Sequence, residues 1–137
     1  MLYPIGIQNF GKIRQGGYVY VDKTDLIYQI AQTGGYYFLS RPRRFGKSLL
    51  ISTMESYFQG EKELFEGLAI EKLEKDWTAY PVLHLDLSGV TYTDENVLNE
   101  KMENTLRQWE KIYGLVNDFK TDSVRFSNII DAAYEKT

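Results

Sequence analysis

The sequence predicts an α/β fold, a small and mostly parallel sheet flanked by helices, in one domain over residues 1–137. Three observations carry that expectation. Residues 36–40 form a short aromatic and apolar run suited to a buried strand. A short loop then leads through Gly46-Lys47-Ser48 into Leu49, Leu50, Met54, Tyr57 and Phe58, which recur at helical spacing. Residues 82–87 alternate apolar with polar side chains, and the interval before them is long enough for a right-handed parallel crossover.

The other elements follow in chain order. Residues 1–17 carry Pro4, Gly6, Gly11, Gly16 and Gly17, the chemistry of loops, with Phe10 and Ile13 anchoring a short helical turn. Residues 18–21 read as a strand. Asp22 or Thr24 caps a helix running to about Gln32, with Leu26, Ile27 and Ile30 inward, and Gly34-Gly35 stops it. Gly60 ends the helix after Ser48. Residues 61–79 are charged, with Leu64, Phe65, Leu68, Ile70 and Leu73 scattered among them, and predict short helical pieces. Pro81 leads into the 82–87 run and Ser88-Gly89 ends it. Thr93 or Asp94 opens a helix to about Tyr113, with Leu98, Met102, Leu106, Trp109 and Tyr113 on one side and Gly114 closing it. A last helix, about 123–135, presents Phe126, Ile129, Ile130, Ala133 and Tyr134. Both stripes read as core faces.

Composition narrows the function. A chain of 137 residues with 43% hydrophobic side chains can bury a real core. Without cysteine there is no disulfide framework or thiolate metal site, and His84 is the single histidine, which excludes a multi-histidine centre. No run approaches the roughly 18 apolar residues of a membrane span, and the N-terminus lacks a signal-peptide pattern. A soluble, cytoplasmic protein with no membrane partner is expected. The net charge of −3 argues against a general nucleic-acid-binding surface. Arg41, Arg43, Arg44 and Lys47 nevertheless cluster beside Gly46, where they are better placed to face an anion than to decorate a solvated loop.

Strand, loop, Gly-Lys-Ser and helix is the layout of a phosphate-binding P-loop. The first amides of a helix have no intrahelical partner, and the helix dipole places roughly half a positive charge there. Gly46 lets the backbone approach a phosphate, Lys47 reaches the outer phosphates, and the Ser48 hydroxyl can ligate Mg²⁺. One departure stands out: the common pattern has glycine five residues before Gly46, and Arg41 stands there, followed by Pro42, Arg43 and Arg44. Two readings remain open on the residues alone. One is a nucleotide site; the other is a non-catalytic phosphate- or nucleic-acid-binding module that uses the Arg-rich loop.

The wider wording, Ser40-Arg41-Pro42-Arg43-Arg44-Phe45-Gly46-Lys47-Ser48-Leu49, resembles the phosphate loop of the AAA-ATPase-like family of bacterial P-loop NTPases. That loop typically reads RPRRFGKS, so the missing glycine is a family trait. Tyr20-Val21-Asp22-Lys23-Thr24, and the stretch from Tyr80-Pro81-Val82 to Leu87-Ser88, match as well, and the resemblance covers nearly the whole chain. It implies ATP and Mg²⁺ as ligands, with Arg43, Arg44, Phe45, Gly46, Lys47, Ser48 and Leu49 at the nucleotide and Ser48 on the metal. Asp22, Lys23 and Thr24 either lie near the base or ribose or simply cap a helix.

Asp86 is not read as the metal-binding acid of a Walker B strand, because His84 interrupts the apolar run and Leu87 follows where a Glu is normal. In the resembling family this strand precedes the Walker B strand. The resemblance therefore implies an N-terminal portion of a P-loop ATPase domain, truncated before that strand, with a nuclease-like domain later in the intact protein. Such a piece is expected to bind nucleotide without hydrolysing it, and to self-associate through an unpaired sheet edge. Two or three strands, against a mean sheet of about five or six, point the same way.

Overall fold

The computed structural model describes residues 1–116 and 121–136. The chain divides into two compact units, Met1–Val82 and Leu83–Thr137.

In the first unit, Asn9 opens α1 (Phe10–Gln15) by accepting the Lys12 amide on its side chain at 2.9 Å. The amide of Phe10, one of the donors a helix start leaves unpaired, goes to the Ser52 hydroxyl at 2.9 Å and ties α1 to α3. α2 (Thr24–Thr33) ends at Gly34, whose positive φ of 67° is a conformation that glycine adopts without a Cβ penalty. α3 (Lys47–Phe58) begins directly after Gly46, with Lys47 and Ser48 as its first two residues. A single 3₁₀ turn (Lys62–Phe65) and α4 (Ala69–Leu73) are the short pieces expected after Gly60.

α1 packs on α3 and α2 on α4, and their shared core is Phe10, Ile27, Tyr57, Phe65, Leu68 and Ile70. Burial of each large apolar side chain contributes about 1.5–3 kcal/mol. Phe10 and Phe65 stack with ring centroids 4.7 Å apart. Leu26, expected inward, is half exposed, because α2 buries only the stripe of Thr24 and Ile27.

In the second unit, Asp94 caps α5 (Glu95–Tyr113) by accepting the amides of Asn96 and Val97, and Gly114 at φ 69° closes it. α6 (Asp122–Glu135) packs on α5 through Leu106, Trp109 and Ile129. The expected core stripes are narrower than their spacing suggested: Leu98, Phe126, Ile130 and Tyr134 are exposed.

The expected sheet is absent from the described residues. The one β-type pairing is an isolated parallel bridge between Leu2 and Tyr18, where the Val19 amide donates to the Leu2 carbonyl at 2.8 Å. Residues 18–21, 36–40 and 82–87 therefore do not form the predicted strands, and the fold is helical rather than α/β. The physical reason is that a strand exists only through a neighbour's ladder, which composition cannot supply. Tyr36 and Phe38 are almost fully exposed, so this aromatic run does not enter a core. Among the described residues there is accordingly no sheet edge of the kind expected to mediate self-association.

Candidate functional site

The turn into α3 is built by two left-handed residues, Arg44 at φ 65° and Gly46 at φ 81°, with Phe45 between them. Such conformations are costly for arginine and cheap for glycine. Their alternation lets neighbouring amides converge on an anion. Gly46 sits at the helix N-cap position without a side-chain cap, and its carbonyl accepts the Leu50 amide at 2.9 Å. The amides of Lys47, Ser48 and Leu49 thus begin the helix with no acceptor among the described residues. A Cβ added to Gly46 would meet nothing within 4 Å, so open space lies over this backbone.

That space belongs to a cleft of about 740 Å³. One wall is Arg43, Arg44, Gly46, Lys47, Ser48 and Leu49; the other is the segment from Pro4 to Gln8. No carboxylate lines the cleft, and none pairs with Arg43, Arg44 or Lys47 among the described residues. Three cations and a free helix N-terminus therefore face the same solvent-filled space, which favours an anion strongly.

The structure brings together six of the seven residues that the motif singled out. Phe45 is the exception: it is exposed and does not line the cleft. Leu49, partly buried, lines the cleft and also packs against the core cluster of the first unit. Arg41, which stands where the common pattern has glycine, reaches back across the loop, its Nη1 donating to the Phe45 carbonyl at 3.5 Å. Ser48 is exposed at the first turn and would offer its hydroxyl as a single metal ligand. Among the described residues no three His, Cys, Asp or Glu side chains gather as a metal cluster.

Sequence reasoning missed the facing wall. Pro4 to Gln8 is held at one end by the Leu2–Tyr18 bridge and at the other by the Asn9 cap, and Gly6 turns it at φ 72°. The signal was the loop chemistry of Pro4 and Gly6, which says where the chain bends but not what it bends toward.

Asp22 and Thr24 have other duties. Asp22 Oδ1 accepts both the amide and the hydroxyl of Thr24, at 2.9 and 2.7 Å, while Oδ2 accepts the Ala69 amide at 2.7 Å. Thr24 Oγ1 accepts the Ile70 amide at 3.1 Å. These two side chains therefore satisfy the first two amides of α4 from a distance. Burial pulls the Asp22 carboxyl upward, but the hydrogen bonds from Thr24 and Ala69 outweigh it and hold the group below its usual range. In the second unit, Asp86 is exposed and accepts the Ser88 amide at 2.9 Å, and the hydrogen bonds from Ser88 lower its carboxyl too.

A model of the AAA-ATPase-like family, described as predicted AAA-ATPase, matches residues 4–137. The chain is 41% identical over 133 residues to a protein of Azotobacter chroococcum mcd 1 described as an uncharacterized protein in the vnfD 5′ region. That match covers 96% of the chain but only 26% of the relative, so the chain spans about a quarter of its length. No solved structure matches. No helix among the described residues is long and apolar enough to cross a membrane.

Proposed function

The chain belongs to the AAA-ATPase-like family, and on that premise we propose that the cleft at the start of α3 binds a nucleoside triphosphate, ATP, with Mg²⁺. The carrying observation is the set of open amides at Lys47, Ser48 and Leu49, facing a cleft that three cations and no carboxylate line. The open space over Gly46 fits a phosphate brought against the backbone. Arg43 and Arg44 add positive charge, Lys47 reaches the outer phosphates, and the Ser48 hydroxyl would hold the metal together with phosphate oxygens and water. When bound, Mg²⁺ neutralises phosphate charge. The rest is done by the chain: its amides orient the phosphates, and Arg41 closes the loop on the Phe45 carbonyl.

With no carboxylate in the lining, the reading is one of binding. In a longer protein the site would couple nucleotide state to a further domain, nuclease-like by family resemblance. The test is calorimetry with ATP and AMP, with and without Mg²⁺, at several salt concentrations. A Mg²⁺-dependent preference for the triphosphate supports the proposal. Equal binding of both nucleotides, with duplex DNA held tightly and losing affinity steeply with salt, would replace it by the non-catalytic Arg-loop reading.

A further inference from the structure

The opposite end of α3 has the opposite chemistry. A cleft of about 300 Å³ lies there, walled by Tyr57, Phe58, Trp77 and Tyr80 and edged by Glu74 and Asp76. No lysine, arginine or histidine lines it. α2 contributes Ala31 and Gln32 from its own last turn, so two helices end at this cleft, and neither has a basic residue in its last turn. A helix C-terminus carries roughly half a negative charge and is usually complemented by a cation there. Here two such ends and two carboxylates share one cavity.

The walls are fixed. Tyr57 and Trp77 meet with ring centroids 5.9 Å apart at 76°, Tyr57 and Phe58 at 5.0 Å and 61°, and Phe58 and Tyr80 at 6.5 Å and 71°. Steeply inclined rings give π surfaces facing in several directions. Glu74 is anchored as an anion: Oε1 accepts the amides of Lys75 and Asp76, both at 3.1 Å, and Oε2 accepts the Tyr57 hydroxyl. Asp76 is exposed at the rim, and no ion pair engages it among the described residues.

We propose that this cleft is a binding site for an organic cation, an ammonium or guanidinium group. Aromatic walls attract weakly hydrated cations through the ring quadrupole, with the carboxylates supplying net charge. A hard metal ion is the poorer fit, since no three acidic or histidine side chains gather among the described residues. The site is separate from the phosphate loop: α3 spans 12 residues, so its two ends lie roughly 16 Å apart at 1.5 Å per residue. Two sources carry this chemistry, a lysine or arginine side chain of a partner protein and a free polyamine.

The experiment is a titration of isotope-labelled chain, following the Trp77 indole resonance by nuclear magnetic resonance, with Trp109 as the internal reference. The probes are N-acetyl-arginine amide, N-acetyl-lysine amide, spermidine and the neutral N-acetyl-norleucine amide. The expected result is a saturable shift of Trp77 with the cationic probes and none with norleucine amide. Asp76→Asn, an exposed change that leaves the fold intact, should weaken the response at least about threefold. Stronger binding of the capped amino acids than of spermidine assigns the site to a protein side chain; the reverse assigns it to a polyamine, and both support the proposal. No saturable shift, an equal shift with the neutral probe, or undiminished binding by Asp76→Asn overturns it.

Discussion

Arg125 and Glu110 meet through two side-by-side hydrogen bonds, Nε to Oε1 at 2.7 Å and Nη2 to Oε2 at 2.9 Å, with side chains only 3% and 7% exposed. Glu103 takes the remaining Nη1 and also pairs with Arg107, so the guanidinium is almost fully engaged between α5 and α6. Removing one partner of such a pair strands the other charge. Arg125→Ala should lower stability by about 3–5 kcal/mol, whereas Arg125→Met combined with Glu110→Leu should lose much less. Denaturant unfolding of the two variants checks this, and equal losses would mean that packing, not charge, dominates.

The same network makes stability depend on pH. Hydrogen bonds from Arg125 hold the Glu110 and Glu103 carboxyls below the usual glutamate range, outweighing the upward pull of burial. A depressed carboxyl contributes stability that is complete above the unfolded value of about 4.5 and is lost as pH falls through the folded value. Melting temperature should therefore drop as pH is taken from neutral to below about 4, and Glu110→Gln should flatten that slope. A slope unchanged in Glu110→Gln would move the acid sensitivity elsewhere, Asp22 being the next group to test.

Much of the helical frame was legible because caps and stops are local. Gly34, Gly60 and Gly114 mark helix ends, and Asp94 marks a start, through backbone conformations and caps set by their near neighbours in sequence. The absence of strands was not legible, since residues 36–40 have strand-like composition but no ladder partner among the described residues. Arg125 was missed because arginine is normally a surface residue; its one faint signal was Glu103 and Glu110, seven apart on a single face of α5. Gly46, Lys47 and Ser48 marked one wall of the candidate cleft, while the wall from Pro4 to Gln8 lies some forty residues away in sequence.

Gly60 is needed for two reasons. Its φ is +74°, and an added Cβ would lie 2.8 Å from the Trp77 carbonyl oxygen, a backbone atom that cannot step aside. Gly60→Ala should cost more than the roughly 1–2 kcal/mol of a left-handed alanine alone. Gly114 at φ +69°, with nothing within 4 Å, is the control that carries the conformational cost only. Thermal unfolding of the two alanine variants should rank Gly60→Ala clearly below Gly114→Ala.

Asp22 separates a structural duty from a nucleotide one. Asp22→Ala removes acceptors from the amides of Thr24 and Ala69, and should cost about 1–3 kcal/mol of stability. ATP affinity should change less than about threefold if capping is its whole role. A folded Asp22→Ala protein with affinity lowered tenfold or more would restore the alternative that this side chain reaches the base or ribose.

Lys47 is the residue on which the phosphate site stands or falls. It is exposed, it opens α3, and no carboxylate engages it among the described residues, so its loss should leave the fold intact. A charge-assisted contact to phosphate is typically worth about 1.5–3 kcal/mol, so Lys47→Ala should weaken ATP binding at least about tenfold. Gly46→Ala is the companion: its φ of +81° predicts a modest stability loss, and a methyl group in the open space over the backbone should impair phosphate binding further. Calorimetry beside thermal unfolding distinguishes the two effects. Unchanged ATP affinity in a folded Lys47→Ala protein would remove the phosphate loop from the reading. In Gly46→Ala, affinity that falls only as far as stability does would make that glycine a turn residue and nothing more.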